Sequence, residues 1–276
     1  MTKKFFGVQS MLTGSLLHSS TETATSSPPS DGKPMNGDSK NAGLDDLIDD
    51  IESWWQRMDK AFNKAMRMRE EKITCDTCPH IDPGCCHQKV LITIFEMLPI
   101  VRYLLRQGRD TPEFRAQLEA DGIMMEGMGR TEFFHGGGKC TFLQSGRCSI
   151  YAVRPSACRS YHVVSEPERC QPGRYDGIRK INDEAYVNET LLASRMLNKE
   201  LGLKETAKRI MMGALPRMVL MGLEMWEAAD FQGFVRAQPW PTDDNLDDWI
   251  DKGKNPYAER LYQIRSKKDG LDRPGQ

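Results

Sequence analysis

A mostly α fold built around an irregular, cysteine-rich centre is what this sequence predicts, and three observations predict it. Apolar residues recur at spacings of three and four from Leu44 to Met66, in two patterns between 183 and 212, and again from Pro216 to Ala229. All eight cysteines of the 276-residue chain fall between Cys75 and Cys170. The sequence around them is dense in Gly, Pro and polar residues, which suits turns rather than core strands.

The composition narrows the function. The chain is 39% hydrophobic and 28% charged with a net charge of −1, ordinary for a globular protein and without the basic excess that nucleic acid or an anionic membrane attracts. No apolar run approaches the roughly 20 residues of a membrane span. The start, MTKKFFGVQSMLTGSLL, is basic and partly apolar, but Gln9, Ser10, Thr13 and Ser15 interrupt it and no small-residue cleavage site follows. A cytoplasmic location is expected, with no nucleic-acid partner. There is no Gly-rich phosphate loop, hydrolase elbow or H-E-x-x-H, so hydrolytic and nucleotide-driven chemistry is not expected.

Along the chain, residues 18–43 are rich in Ser, Thr, Pro and Gly and hold too little apolar surface to offset the entropy of ordering. Residues 1–43 are expected to be a disordered N-terminal tail. Leu44, Leu47, Ile48, Ile51, Trp55, Met58, Phe62 and Met66 form one helical stripe. Asp45, Asp46, Asp49 and Asp50 open that helix and Arg67 and Arg69 close it, as the helix dipole favours. Such a helix packs on a core; the alternative is a partner-binding helix. Residues 90–108 read as a short extended or helical start running into a helix around Pro99, and Phe114 to Ala120 as another. Residues 121–139 are Gly and Met rich. The cysteine domain is thus expected over 44–182, followed over 183–276 by a helical region, broken near Gly202 and ending in a polar tail.

The cysteines read C-x2-C-x6-C-C, then 53 residues, then C-x7-C-x9-C-x11-C. Two thiolates three positions apart converge on one metal around a tight turn, so the Cys75/Cys78 pair is a chelating unit. Cys75, Cys78, Cys85, Cys86, Cys140, Cys148, Cys158 and Cys170 are the candidate ligands, expected to converge in one compact region. Zinc would take four of them, or three and a histidine. An iron–sulfur cluster tolerates irregular spacing, and the lack of a second C-x2-C favours it over zinc. Adjacent Cys85 and Cys86 point apart, which suits neighbouring sites or one ligand beside a buried thiol. His87 is a candidate ligand or outer donor, as are His80 and His162 more weakly. Arg154 and Arg159 bracket Cys158 and supply positive charge beside a thiolate centre.

The stretch CTFLQSGRCSIYAVRPSACRSY, residues 140–161, resembles the signature of the YkgJ-like cysteine-cluster family, a zinc- or iron-chelating domain. The residues that carry it are Cys140, Phe142, Leu143, Gly146, Cys148, Ile150, Tyr151, Arg154, Pro155, Cys158 and Arg159. The family's upstream motif is C-x2-C-x2-C-C, and here four extra residues within PHIDPG lengthen its middle gap. The resemblance covers roughly 73–175 and implies zinc or iron binding. Phe142, Leu143, Ile150 and Tyr151 can cap the metal or serve as local core, and Arg154, Arg159 and Tyr151 are candidate cofactor contacts. The expected function is a metal-binding protein, with an iron–sulfur cluster or zinc in a structural or redox role. Two alternatives stand beside it. One is a group-transfer enzyme such as an S-adenosylmethionine-dependent protein methyltransferase, since the related flagellin lysine N-methylases carry a similar domain, although no separate methyl-donor motif is present. The other is a metal- or redox-sensing protein that binds a partner through its flanking helices.

Overall fold

The computed structural model describes residues 42–69, 73–74, 84–166, 169–170, 178–182, 184–200 and 212–229, with 231, 233 and 235. Residues 1–41 of the expected tail, Cys75, Cys78, His80, the break near Gly202 and the polar C-terminal end lie outside them, while 42 and 43, also assigned to the tail, open the first helix.

The first helix, α1 (Ala42–Arg67), follows the predicted stripe. Its Ile48, Ile51, Trp54 and Trp55 are buried in the main core, so the stripe packs inward. Strand β1 (Leu91–Thr93) then leads into α2 (Ile94–Arg106), so of the extended or helical start left open before Pro99 the structure takes the extended one. Thr93 and Glu96 form a capping box that satisfies the first free amides of α2. Pro99 stands inside the helix, where it removes one backbone donor. Burial of nearly every face of α2 offsets that loss, each fully buried Ile or Leu contributing about 2 kcal/mol.

Helix α3 (Pro112–Gly127) runs seven residues beyond the predicted Ala120. The glycine that weakens its sequence signal is a contact residue: a Cβ on Gly122 would lie 3.3 Å from the Arg217 side chain. Short helix α4 (Arg130–His135) follows. Two residues each make β2 (Leu143–Gln144) and β3 (Arg147–Cys148), and four make α5 (Ser156–Arg159). Strand β4 (Tyr161–Val163) pairs antiparallel with β5 (Lys180–Asn182) just before α6 (Glu184–Glu200). Strand β6 (Met212–Ala214) and α7 (Leu215–Ala228) complete the described core.

Strands β1 and β6 pair antiparallel with Ile92 opposite Gly213, and each runs directly into a central helix, which aligns the starts of α2 and α7. Those two helices touch closely. A Cβ on Gly222 would sit 2.5 Å from Val101, so only glycine allows this approach without rearrangement. Arg102, almost wholly buried on α2, reaches Asp49 at 2.5 Å and Glu52 at 2.7 Å and so holds α1 in place. The acidic opening of α1 therefore carries a tertiary ion pair as well as the dipole interaction read from sequence. Among the described residues, seven helices and only short two-stranded ribbons make the fold mostly α, as predicted.

Candidate metal centre

Three segments build the centre. The first is a 3-10 turn, Gly84–His87, which presents Cys85 at the surface and Cys86 half-buried. Two backbone bonds place it: Cys140 N donates to the Cys86 carbonyl at 2.8 Å, and Gly84 N donates to the Cys170 carbonyl at 2.9 Å. The two cysteine groups, 53 residues apart, are thus joined by main chain. His87 is buried, and its Nδ1–H donates to the Gly138 carbonyl at 2.9 Å, which leaves the lone pair of the neutral ring on Nε2. Immediately before the upstream pair, Thr74 donates from its hydroxyl to the Val163 and Ser165 carbonyls at 3.0 and 2.6 Å. Thr74 is therefore held beside β4.

The second segment is the β2–β3 hairpin. Ser145 and Gly146 both have positive φ, 48° and 74°, the pairing that a tight two-residue hairpin demands. It sets Cys148 opposite Leu143. Cys140 lies at its base, and the next residue, Thr141, donates to Asp121 of α3 at 2.6 Å. The third segment is α5, which carries Cys158. Pro155 opens it, and its carbonyl accepts from the amides of Cys158 and Arg159 at 2.9 Å.

Cys85, Cys140 and Cys148 lie within electrostatic reach of one another, and Cys86 and Cys158 each lie within reach of those three. Contrary to the expectation that these neighbours point apart, Cys86 donates its S–H to Cys85, which lowers the Cys85 thiol and, with burial, pushes Cys86 far up. Arg154 also lowers Cys85. Burial pushes Cys140 up to about 12 and raises Cys148 and Cys158, the latter strongly, with neighbouring thiols adding to the effect. Four of the five thiols are thus held protonated, so binding a metal releases protons as it turns them into thiolates. The six described cysteines form no disulfide.

Phe142 and Ile150 are buried in the main core, and Cys140, Cys148 and Cys158 pack against that core. Tyr151 departs from an apolar cap: it is 61% exposed, and its ring lies under the Arg154 guanidinium at 4.0 Å. Arg154 faces the thiols, lying in the field of Cys85, Cys148 and Cys158. Arg159 faces the other way. Its guanidinium donates to Asp59 of α1, to the Arg154 carbonyl at 2.7 Å and to the Ala152 carbonyl at 2.7 Å, and it covers the Trp55 ring at 4.7 Å. His162 is buried and stacks on Phe62 at 4.7 Å.

Three residues that sequence reading passed over belong to this region. Arg109, in the turn after α2, lies over Phe114 at 5.2 Å and within reach of Cys148, adding a second cation beside the thiols. Asp59 anchors Arg159 and also accepts from the Tyr186 hydroxyl at 3.0 Å. Glu96 is buried between Thr93 and Ser156. Only Glu96 had a signal in sequence, the T-x-x-E box of its own helix; its distant partner had none.

Among the described residues, no three Cys, His, Asp or Glu side chains are closed up enough to hold an ion as they stand. The donor set nonetheless suits a thiophilic metal: soft sulfur ligands, a shielded site and cations beside it.

Thiols from three separate segments, packed against one core with cations at their edge, make this cysteine cluster the candidate metal centre. Residues 74–187 match the model of the family described as "CxxCxxCC: Putative zinc- or iron-chelating domain", in keeping with the resemblance carried by the 140–161 signature. Comparisons with the curated proteins and with the solved structures each gave no match. No helix among the described residues is long and apolar enough to cross a membrane.

Proposed function

We propose that four of the eight cysteines, drawn from Cys75, Cys78, Cys85, Cys86, Cys140, Cys148, Cys158 and Cys170, hold an iron–sulfur cluster in preference to zinc, in a structural or redox role, with the others serving a second site or standing as structural or redox thiols. The observation that carries this reading is the gathering of five thiols from three segments into one electrostatic neighbourhood. A zinc ion needs four ligands at a single point, whereas a cluster spreads several metal atoms and accepts sulfurs from diverging segments. The irregular gaps between these cysteines suit the second geometry better. When bound, the cluster supplies one-electron redox chemistry or a cross-link between segments. The protein's own residues do the rest: Phe142 and Ile150 exclude water from one side, and Arg154 and Arg109 offset the negative charge of the thiolates.

Anaerobic purification followed by metal and acid-labile sulfide analysis tests the proposal. A brown protein with iron and sulfide in comparable amounts is expected. Stoichiometric zinc with neither iron nor sulfide overturns the cluster and leaves a zinc centre on the same cysteines.

A further inference from the structure

Glu96 is 2% exposed, and its two oxygens do different work. Oε2 accepts from Thr93 N at 2.9 Å and from Thr93 Oγ1 at 3.0 Å, which closes the capping box of α2. Oε1 accepts from Ser156 N at 2.8 Å and from Ser156 Oγ at 2.7 Å, 60 residues downstream. A capping box needs only the first oxygen. The second spans from α2, a helix buried in the centre of the fold, to the residue that opens α5. Ser156 is two positions before Cys158, and the far end of the same turn is gripped through Arg159 by Asp59. Cys158 therefore sits on four residues held at both ends by carboxylate contacts, the buried Glu96 at one and the partly exposed Asp59 at the other, and neither contact involves a thiol.

We infer that Glu96 is a positioning residue for Cys158, fixing that ligand in place before any metal binds. The inference rests on the metal-centre reading above. A free loop would lose conformational entropy on chelation, and a turn already held loses less. Glu96→Gln keeps the size but turns one accepting oxygen into a donor, so either the Thr93 or the Ser156 pair of donors meets another donor. Since the Thr93 pair is local, the distant Ser156 contact is the one that yields.

The test uses the full chain, stripped of metal, with two readouts: the iodoacetamide alkylation rate of each cysteine by mass spectrometry, and retention of added Zn²⁺ against a chromogenic chelator. Glu96→Gln is expected to raise Cys158 alkylation and to lower Zn²⁺ affinity by about tenfold each, the size seen when an outer-shell partner is lost, with Cys140 and Cys148 alkylated at the wild-type rate. Val219→Ala, a core truncation in α7, serves as the equally destabilised control and is expected to change neither readout. Ser156→Ala removes one donor and is expected to shift both by about threefold, which keeps the test open should Glu96→Gln fail to fold. Equal effects of Glu96→Gln and Val219→Ala, or wild-type alkylation of Cys158 in Ser156→Ala, would overturn the positioning role. Cys158→Ser separates the two levels: if it binds Zn²⁺ as the wild type does, the assignment of Cys158 as a ligand fails instead.

Discussion

Arg159 and Asp59, 100 residues apart in sequence, meet in a charge-assisted hydrogen bond under the turn that carries Cys158. The arginine is nearly buried while the aspartate is about one-third exposed, so the contact joins the cysteine domain to the leading helix at the edge of the core. It shows why the cysteine region and α1 form one packed body.

Replacing Asp59 by Ala is expected to cost about 2 kcal/mol, less than the loss of a fully buried partner because Asp59 is partly solvated. Two carbonyls and the Trp55 face still hold the guanidinium, so the variant should fold. Chemical denaturation measures the loss; a change within experimental error would show that those carbonyls suffice.

Single Cys140→Ser, Cys148→Ser and Cys158→Ser variants are expected to lose bound metal and to melt at lower temperature, because metal binding and folding draw on the same free energy. Metal content per chain and thermal melts check this together. A variant that keeps its full metal content removes that cysteine from the ligand set.

Arg154→Ala and Arg109→Ala should act more mildly. Each removes a cation from beside the thiols without removing a ligand, and a roughly tenfold loss of metal affinity is expected. Their effect should shrink at high salt, since screening already weakens partly exposed charges. Chelator competition at low and high salt is the measurement, and an effect independent of salt would point to packing instead.

Glu126 provides a pH test away from the cysteines. It is buried on α3, 3.5 Å from Arg217 Nε, with Lys89 also within reach. Burial outweighs both cations and raises its carboxyl. Folding therefore favours the protonated form: its contribution to stability is complete below the ordinary glutamate pKa of about 4.3 and is lost as pH rises through the higher folded value. Glu126→Gln stays neutral throughout, so its melting temperature should gain on the wild type as pH rises through that window. A gap that is flat or shrinks with pH would contradict this.

The sequence by itself determined the local features of this protein. Helical spacing from Leu44 to Met66 located α1, and the 140–161 signature located the stretch that matches the family model, because periodicity and short motifs are written in consecutive residues. The sequence also named the cysteines as a group. Only the tertiary structure decided what each charged residue faces. Arg154 and Arg159 bracket Cys158 alike in sequence, yet the first lies toward the thiols and the second toward Asp59 and Trp55. Arg109, Asp59 and the outer oxygen of Glu96 were equally beyond reading from sequence. Their partners lie tens of residues away, and the direction of a side chain is set by the packing of helices against one another.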